Sequence, residues 1–132
     1  MTKMNGDEIL FQGCVKEIGP LVKEFIDAGI LVFFGEDAPP ELVEFSIIHD
    51  GRLADQNVQP GDFFDIDQDE FEVLAVGDVA NDNFRNLGHI ILKFNGKHKP
   101  ELPGDICVES KPLPEIKIGD MIKVSRRCSN NK

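Results

Sequence analysis

Tryptophan and tyrosine are absent from the sequence, and all ten aromatic residues are phenylalanine. Phenylalanine can stack on bases, but stacking platforms for nucleic acid come with a basic groove. Basic residues are the minority here, 14 against 24 acidic ones, and the formal charge is −10. Such a surface repels phosphate backbones, which excludes nucleic acid as an expected partner. It suits a basic protein partner, which it would attract over long range; it also simply keeps a small chain soluble. Cysteine is scarce: Cys14, Cys107 and Cys128 lie far apart, form no C-x-x-C, and match no Cys/His zinc spacing. Reduced thiols in a cytosol account for them. No apolar run approaches the length of a membrane span. The opening residues, MTKMNGDEILFQG, lack the apolar region of a signal peptide, so a cytoplasmic location is expected. No glycine-rich phosphate loop occurs. Asp78, Asp82 and Asn83 fit no standard metal loop and read as helix-cap residues. No metal and no cofactor are expected.

What is present is enough for one core. The 132 residues fit a single domain spanning 1–132, and 41% of them are hydrophobic, which excludes general disorder. Glu8 to Ile18 reads as a first strand, with Gly13 marking a bulge. Leu21 to Ala28 has helical spacing behind Pro20, and Gly29 closes it. Ile30 to Phe34 is a buried-strand run, and Pro40 to Val43 allows a helical turn. Three stretches then repeat a Gly-Asp pair followed by alternating apolar residues: Val58 to Asp67, Glu101 to Ser110 and Ile116 to Ser125. Each reads as a turn launching a strand. Glu70 to Val76 and His89 to Phe94 are further strands; between them a short helix ends at Leu87 with Gly88 at C′. Residues 126–132 read as a frayed tail. The sum is a mainly-β domain, a small closed β-barrel of about seven or eight strands with two short helices.

The organising stretch is Phe45 to Leu53, FSIIHDGRL. Phe, Ile and Ile suit a pleated surface, and Asp50-Gly51 suits a tight turn. His49 is therefore expected at a strand end, on a rim. It either fills that strand end or serves a partner. His89, at the start of a later strand, is a second candidate that would sit beside it. His98, in a polar loop, is expected to be exposed and idle. Phe45 and Ile48 are expected to supply apolar contact around the site.

Two blocks carry a resemblance. One is Val76, Gly77, Val79, Ala80, Asn83, Leu87, Gly88, His89 and Gly96. The other is Gly35, Ala38, Pro39, Glu41, Leu42 and Glu44, leading into Ile48-His49. In this order and spacing they resemble the glucitol/sorbitol-specific enzyme IIA of the bacterial phosphoenolpyruvate-dependent sugar phosphotransferase system. The resemblance implies a closed β-barrel and a phosphotransferase component working through a phosphohistidine, which falls on His49. It implies that the histidine-containing phosphocarrier HPr supplies the phosphate and that the IIB domain of the membrane permease (IIB/IIC) receives it. The protein would then visit the membrane transiently and bind no sugar itself. An imidazole suits such a relay, being neutral near pH 7 with a free pKa of about 6.5. The turn amides at Asp50 and Gly51 and the guanidinium of Arg52 are candidate phosphate stabilisers. The competing reading is a non-catalytic β-barrel binding or regulatory module that keeps the fold without the relay.

Overall fold

Three turns of one design frame the sheet. In each, an aspartate follows a glycine. Its amide donates to the carbonyl three residues earlier, and its carboxylate accepts that residue's amide. The pairs are Asp62 with Gln59, Asp105 with Leu102 and Asp120 with Lys117, with carboxylate bonds of 2.7, 2.9 and 2.8 Å. Gly61 and Gly119 both sit at φ +97°, which a side chain would resist. These are the Gly-Asp pairs that the sequence marks as strand starts. In the computed structural model, which describes residues 7–127, a strand follows each.

Nine strands form: β1 (Glu8–Ile18), β2 (Ile30–Phe34), β3 (Ile47–His49), β4 (Arg52–Leu53), β5 (Phe63–Ile66), β6 (Asp69–Val76), β7 (Ile90–Lys93), β8 (Asp105–Val108) and β9 (Met121–Arg126). Eight close a ring in the order β1-β3-β2-β7-β8-β6-β5-β9, because β1 pairs with β9 along one side and with β3 on the other. Closure leaves the ring without an open edge, as the barrel reading expects. Its interior is filled by one face of each strand: Leu31 and Phe33, Ile90 and Leu92, Phe64 and Ile66, Phe71 and Val73, Ile122 and Val124, all buried. Each such side chain contributes roughly 1.5–3 kcal/mol by leaving water.

Several local expectations shift. The described residues form three helices, not two: α1 (Val22–Ile26), α2 (Pro40–Val43) and α3 (Ala80–Leu87). The turn allowed over Pro40 to Val43 is the added one. No side chain caps α3, whose N-cap is Val79. Inside its first turn, Asn81 exchanges bonds of 2.8 and 3.0 Å with the backbone of Val58. Gly88 does end α3 in the left-handed region, φ +66°. The bulges in β1 fall between Ile9 and Phe11 and between Val15 and Glu17, not at Gly13. Gly13 is needed for close approach instead, since a Cβ there would meet the Gly51 nitrogen at 2.6 Å. Arg126 is not frayed: it ends β9 with Nε 2.8 Å from the buried Asp62 carboxylate. Arg127 is held too, with Nη2 2.7 Å from Glu70 Oε1. Residues 128–132, with Cys128, lie outside the described residues, and Cys14 and Cys107 are free thiols.

One buried acid costs the fold stability. Asp65 on β5 is 8% exposed, its Oδ1 has no partner among the described residues, and Lys123 stands 3.8 Å away. Burial, then the charge of Glu70, pushes its pKa up to about 6, against Lys123 and Arg127. The folded state thus holds this proton more tightly than the unfolded chain does. Stability is greatest below pH 4 on this account and is lost as pH rises through about 6. Asp65→Asn should therefore be more stable than the parent at pH 7, by about 2–3 kcal/mol, and nearly equal below pH 4. Denaturant unfolding across that range is the check; curves that run parallel would sink the idea.

Candidate functional site

The link from β3 to β4 does not reverse the chain. Both strands run antiparallel to β1, so Asp50 and Gly51 form a kink between two stretches of the same edge. The reason is the pairing of Asp50 with β1. Its carboxylate accepts the Cys14 amide at 2.8 Å, and its own amide donates to the Cys14 carbonyl at 3.3 Å. That amide bond, joined by Lys16 at 3.4 Å, holds the Asp50 carboxyl below its usual range. Asp50 therefore turns toward β1 and away from the ring beside it.

His49 is not on an open rim. It has 0% exposure and forms the floor of a cup of about 220 Å³. Phe34, Gly35, Gly51, Arg52, Arg85 and Gly88 are among the walls. The edge of Phe11 meets the imidazole at 5.1 Å and 90°. The backbone takes both ring nitrogens. Gly51 N–H donates to Nδ1 at 3.0 Å, and Nε2 lies 2.8 Å from the Gly88 carbonyl oxygen. An amide can only donate and a carbonyl can only accept, so Nδ1 carries the lone pair and Nε2 the proton. Burial holds the ring below the ordinary imidazole pKa, against the Gly88 carbonyl and the charges of Asp50 and Glu36. A neutral, single-tautomer imidazole results.

His89 follows Gly88 but turns the other way. Its Nδ1 lies 3.2 Å from the Phe33 carbonyl, and its ring stacks on Phe34 at 4.1 Å. Burial lowers its pKa, with the Phe33 carbonyl opposing. Among the described residues no hydrogen bond joins it to His49. His98 is exposed. The candidate phosphate donors fare differently from one another. The amides of Asp50 and Gly51 are already engaged, by Cys14 and His49. Arg52 is exposed on the cup wall, with no ion pair among the described residues. Sequence reasoning missed Arg85, which also lines the cup and is tied to Asn57 Oδ1 at 3.0 Å. It missed Phe11 and the Gly88 carbonyl as well. Only Gly88 left a signal, as the glycine closing α3. Ile48 is buried and Phe45 half-buried against Phe25, so the exposed apolar group at the lip is Leu87, 53% exposed.

The site is thus a buried, neutral histidine in a closed barrel, under a cup lined by Arg52 and Arg85 and by the acids Glu36, Asp37 and Asp50. The same fold occurs in the "PTS System IIA Component" from Enterococcus faecalis V583, with a TM-score of 0.72 and 24% identity over 84% of this chain and 96% of that one. The model of the family "PTS system glucitol/sorbitol-specific IIA component" matches residues 10–123. The chain is 33% identical over 115 residues to the glucitol/sorbitol-specific EIIA components of Shigella flexneri and Escherichia coli K12, covering 87% of this chain and 94% of each relative. The chain belongs to the glucitol/sorbitol-specific IIA component family, a phosphotransfer component of sugar-alcohol phosphotransferase systems. No helix among the described residues is long and apolar enough to cross a membrane.

Proposed function

We propose that residues 1–132 act as one phosphocarrier domain in which His49 accepts a phosphoryl group from HPr and passes it to the IIB domain of the permease. The carrying observation is the ring itself: neutral, fixed by two backbone partners, and set at the floor of a cup. Arg52 meets the charge that spreads over the phosphoryl oxygens in the loose transition state. Arg85 stands by it, and His89 supports the site through its packing on Phe34. Sugar does not enter this cup; the relay passes between proteins at the membrane face of the cytoplasm. The test is incubation with phosphoenolpyruvate, enzyme I and HPr, then mass mapping of acid-labile phosphate. One phosphate on the peptide holding His49 supports the reading.

One observation favours the competing module without a relay: the ring is fully covered, and both nitrogens are bonded. Absence of any phosphate in the same assay would leave that reading standing.

The charge of −10 bears on the encounter. An acidic carrier steers a basic donor face and raises the on-rate, an effect that salt screens. Transfer from HPr should slow on the order of tenfold as ionic strength rises from low to physiological. Quenched-flow transfer over a salt series measures this. A flat rate would mean that apolar contact at the lip around Leu87, and not charge, guides docking.

A further inference from the structure

The two backbone clamps on His49 are not equivalent. Gly88 is fixed on both sides. Its amide donates to the Phe84 carbonyl at 2.9 Å, and the preceding Leu87 carbonyl accepts the Gly35 amide at 3.0 Å. A Cβ at Gly88 would meet Gly35 N at 2.7 Å and His49 Cε1 at 3.1 Å, so the carbonyl is wedged against the ring. Gly51 lies on the cup wall in the kink between Asp50, bonded to Cys14, and Arg52, paired with Gln12, but its own N–H bonds only the His49 ring and belongs to no ladder. The opposite tautomer would aim a ring N–H at the Gly51 N–H and a lone pair at the Gly88 carbonyl. Both contacts would be repulsive.

We infer that Nδ1 of His49 is the phosphoryl acceptor, with Nε2 keeping its proton on the Gly88 carbonyl throughout. This rests on the carrier reading above. The Asp50–Gly51 peptide turns aside, which bares the Nδ1 lone pair toward the cup. That lone pair forms the new N–P bond. The N–P bond on the donor's imidazole breaks, and its electron pair returns to the donor nitrogen. The donor ring, protonated at its other nitrogen, leaves as neutral imidazole. His49, still carrying the Nε2 proton, becomes the phosphoimidazolium. No proton moves, and the same charge makes His49 a good leaving group for the next transfer. The displaced Gly51 N–H is left as a donor to a phosphoryl oxygen. Gly88 is a positioning residue, acting only through the proton it holds.

The measurement is ¹⁵N and ³¹P NMR on protein labelled at its histidine nitrogens, before and after phosphorylation by HPr. The free protein should show His49 protonated at Nε2 alone, and the phosphoprotein should show phosphorus coupled to Nδ1. Phosphorus on Nε2 of His49 would overturn this inference and leave the carrier reading intact. Phosphorus on another residue, or none, would overturn the carrier reading and the inference with it. In Gly88→Ala, read on folded protein, a second His49 tautomer should appear. A single Nε2–H form there would remove Gly88 from its role.

Discussion

His49→Ala should lose phosphoryl acceptance from HPr completely. The variant removes the only imidazole that lines the cup among the described residues, and neither Arg52 nor Arg85 can act as a nucleophile in its place. It should also cost stability, because the side chain is not at an open strand end. Truncation would leave a cavity against Phe11 and strand the Gly51 amide and Gly88 carbonyl without partners. Together these amount to about 2–4 kcal/mol. His49→Gln separates the two effects, since a glutamine amide can still donate to Gly88 and fill the space on Phe11. The folded Gln variant should carry no acid-labile phosphate; full stoichiometry on it would remove His49 as the carrier. The parent has a pH signature too. Burial depresses the ring's pKa, so the neutral acceptor persists as pH falls through about 6.5, where a free imidazole would be half protonated. The associated stability is present above that value and is lost as pH falls toward the folded pKa. Transfer rates measured against pH from the donor side of one fixed HPr pool would show a profile shifted to acid. A midpoint at or above the free-imidazole value would contradict the burial.

Much of the barrel was legible because its signals are local. The Gly-Asp pairs fix turns whose hydrogen bonds span three residues, alternation along Glu70 to Val76 declares which face goes inward, and the wholly apolar run Ile30 to Phe34 declares a buried strand. Strand β4 was not legible: Arg52 and Leu53 form a strand only because Phe11 and Gln12 lie alongside. The same holds for Asp50-Gly51, whose turn chemistry is real but yields to pairing with Cys14. At the site, His49 could be named from the residues and the family pattern. Its burial could not, since it depends on Phe11, 38 positions away by number, and on the end of α3. Arg85 was silent because a basic residue on a short polar helix looks like any solvated side chain. His89 shows the converse: it stands next to Gly88 in sequence, yet its ring stacks on Phe34 and bonds the Phe33 carbonyl, not His49.

Gly51→Ala should be a strongly damaging small change near the site. The backbone there is not in the left-handed region, so conformational strain is not the cause. The cause is contact. A Cβ at residue 51 would stand 2.6 Å from the Gln12 carbonyl oxygen and 2.6 Å from Phe11 Cε1. Neither can retreat: Gln12 is paired to both β4 and β9, and Phe11 is 1% exposed with Phe84 packed on its ring. The kink itself must move outward, which pulls the Gly51 N–H off His49 Nδ1 and loosens β4 from β1. Overpacking of this kind costs about 1–3 kcal/mol, and a buried acceptor left without its donor adds about 1–3 more. Gly29→Ala is the control, because a Cβ there meets nothing within 4 Å and only φ +79° opposes it. That position should lose only about 1–2 kcal/mol. Denaturant midpoints of the two variants, with HPr transfer rates and the His49 tautomer read on each, make the comparison. Gly51→Ala should be the less stable protein, with a mixed tautomer and slowed transfer, while Gly29→Ala should transfer as the parent does. If both variants lost the same modest stability and transferred alike, the kink would be a passive connection and the ring would owe its single tautomer to Gly88 alone.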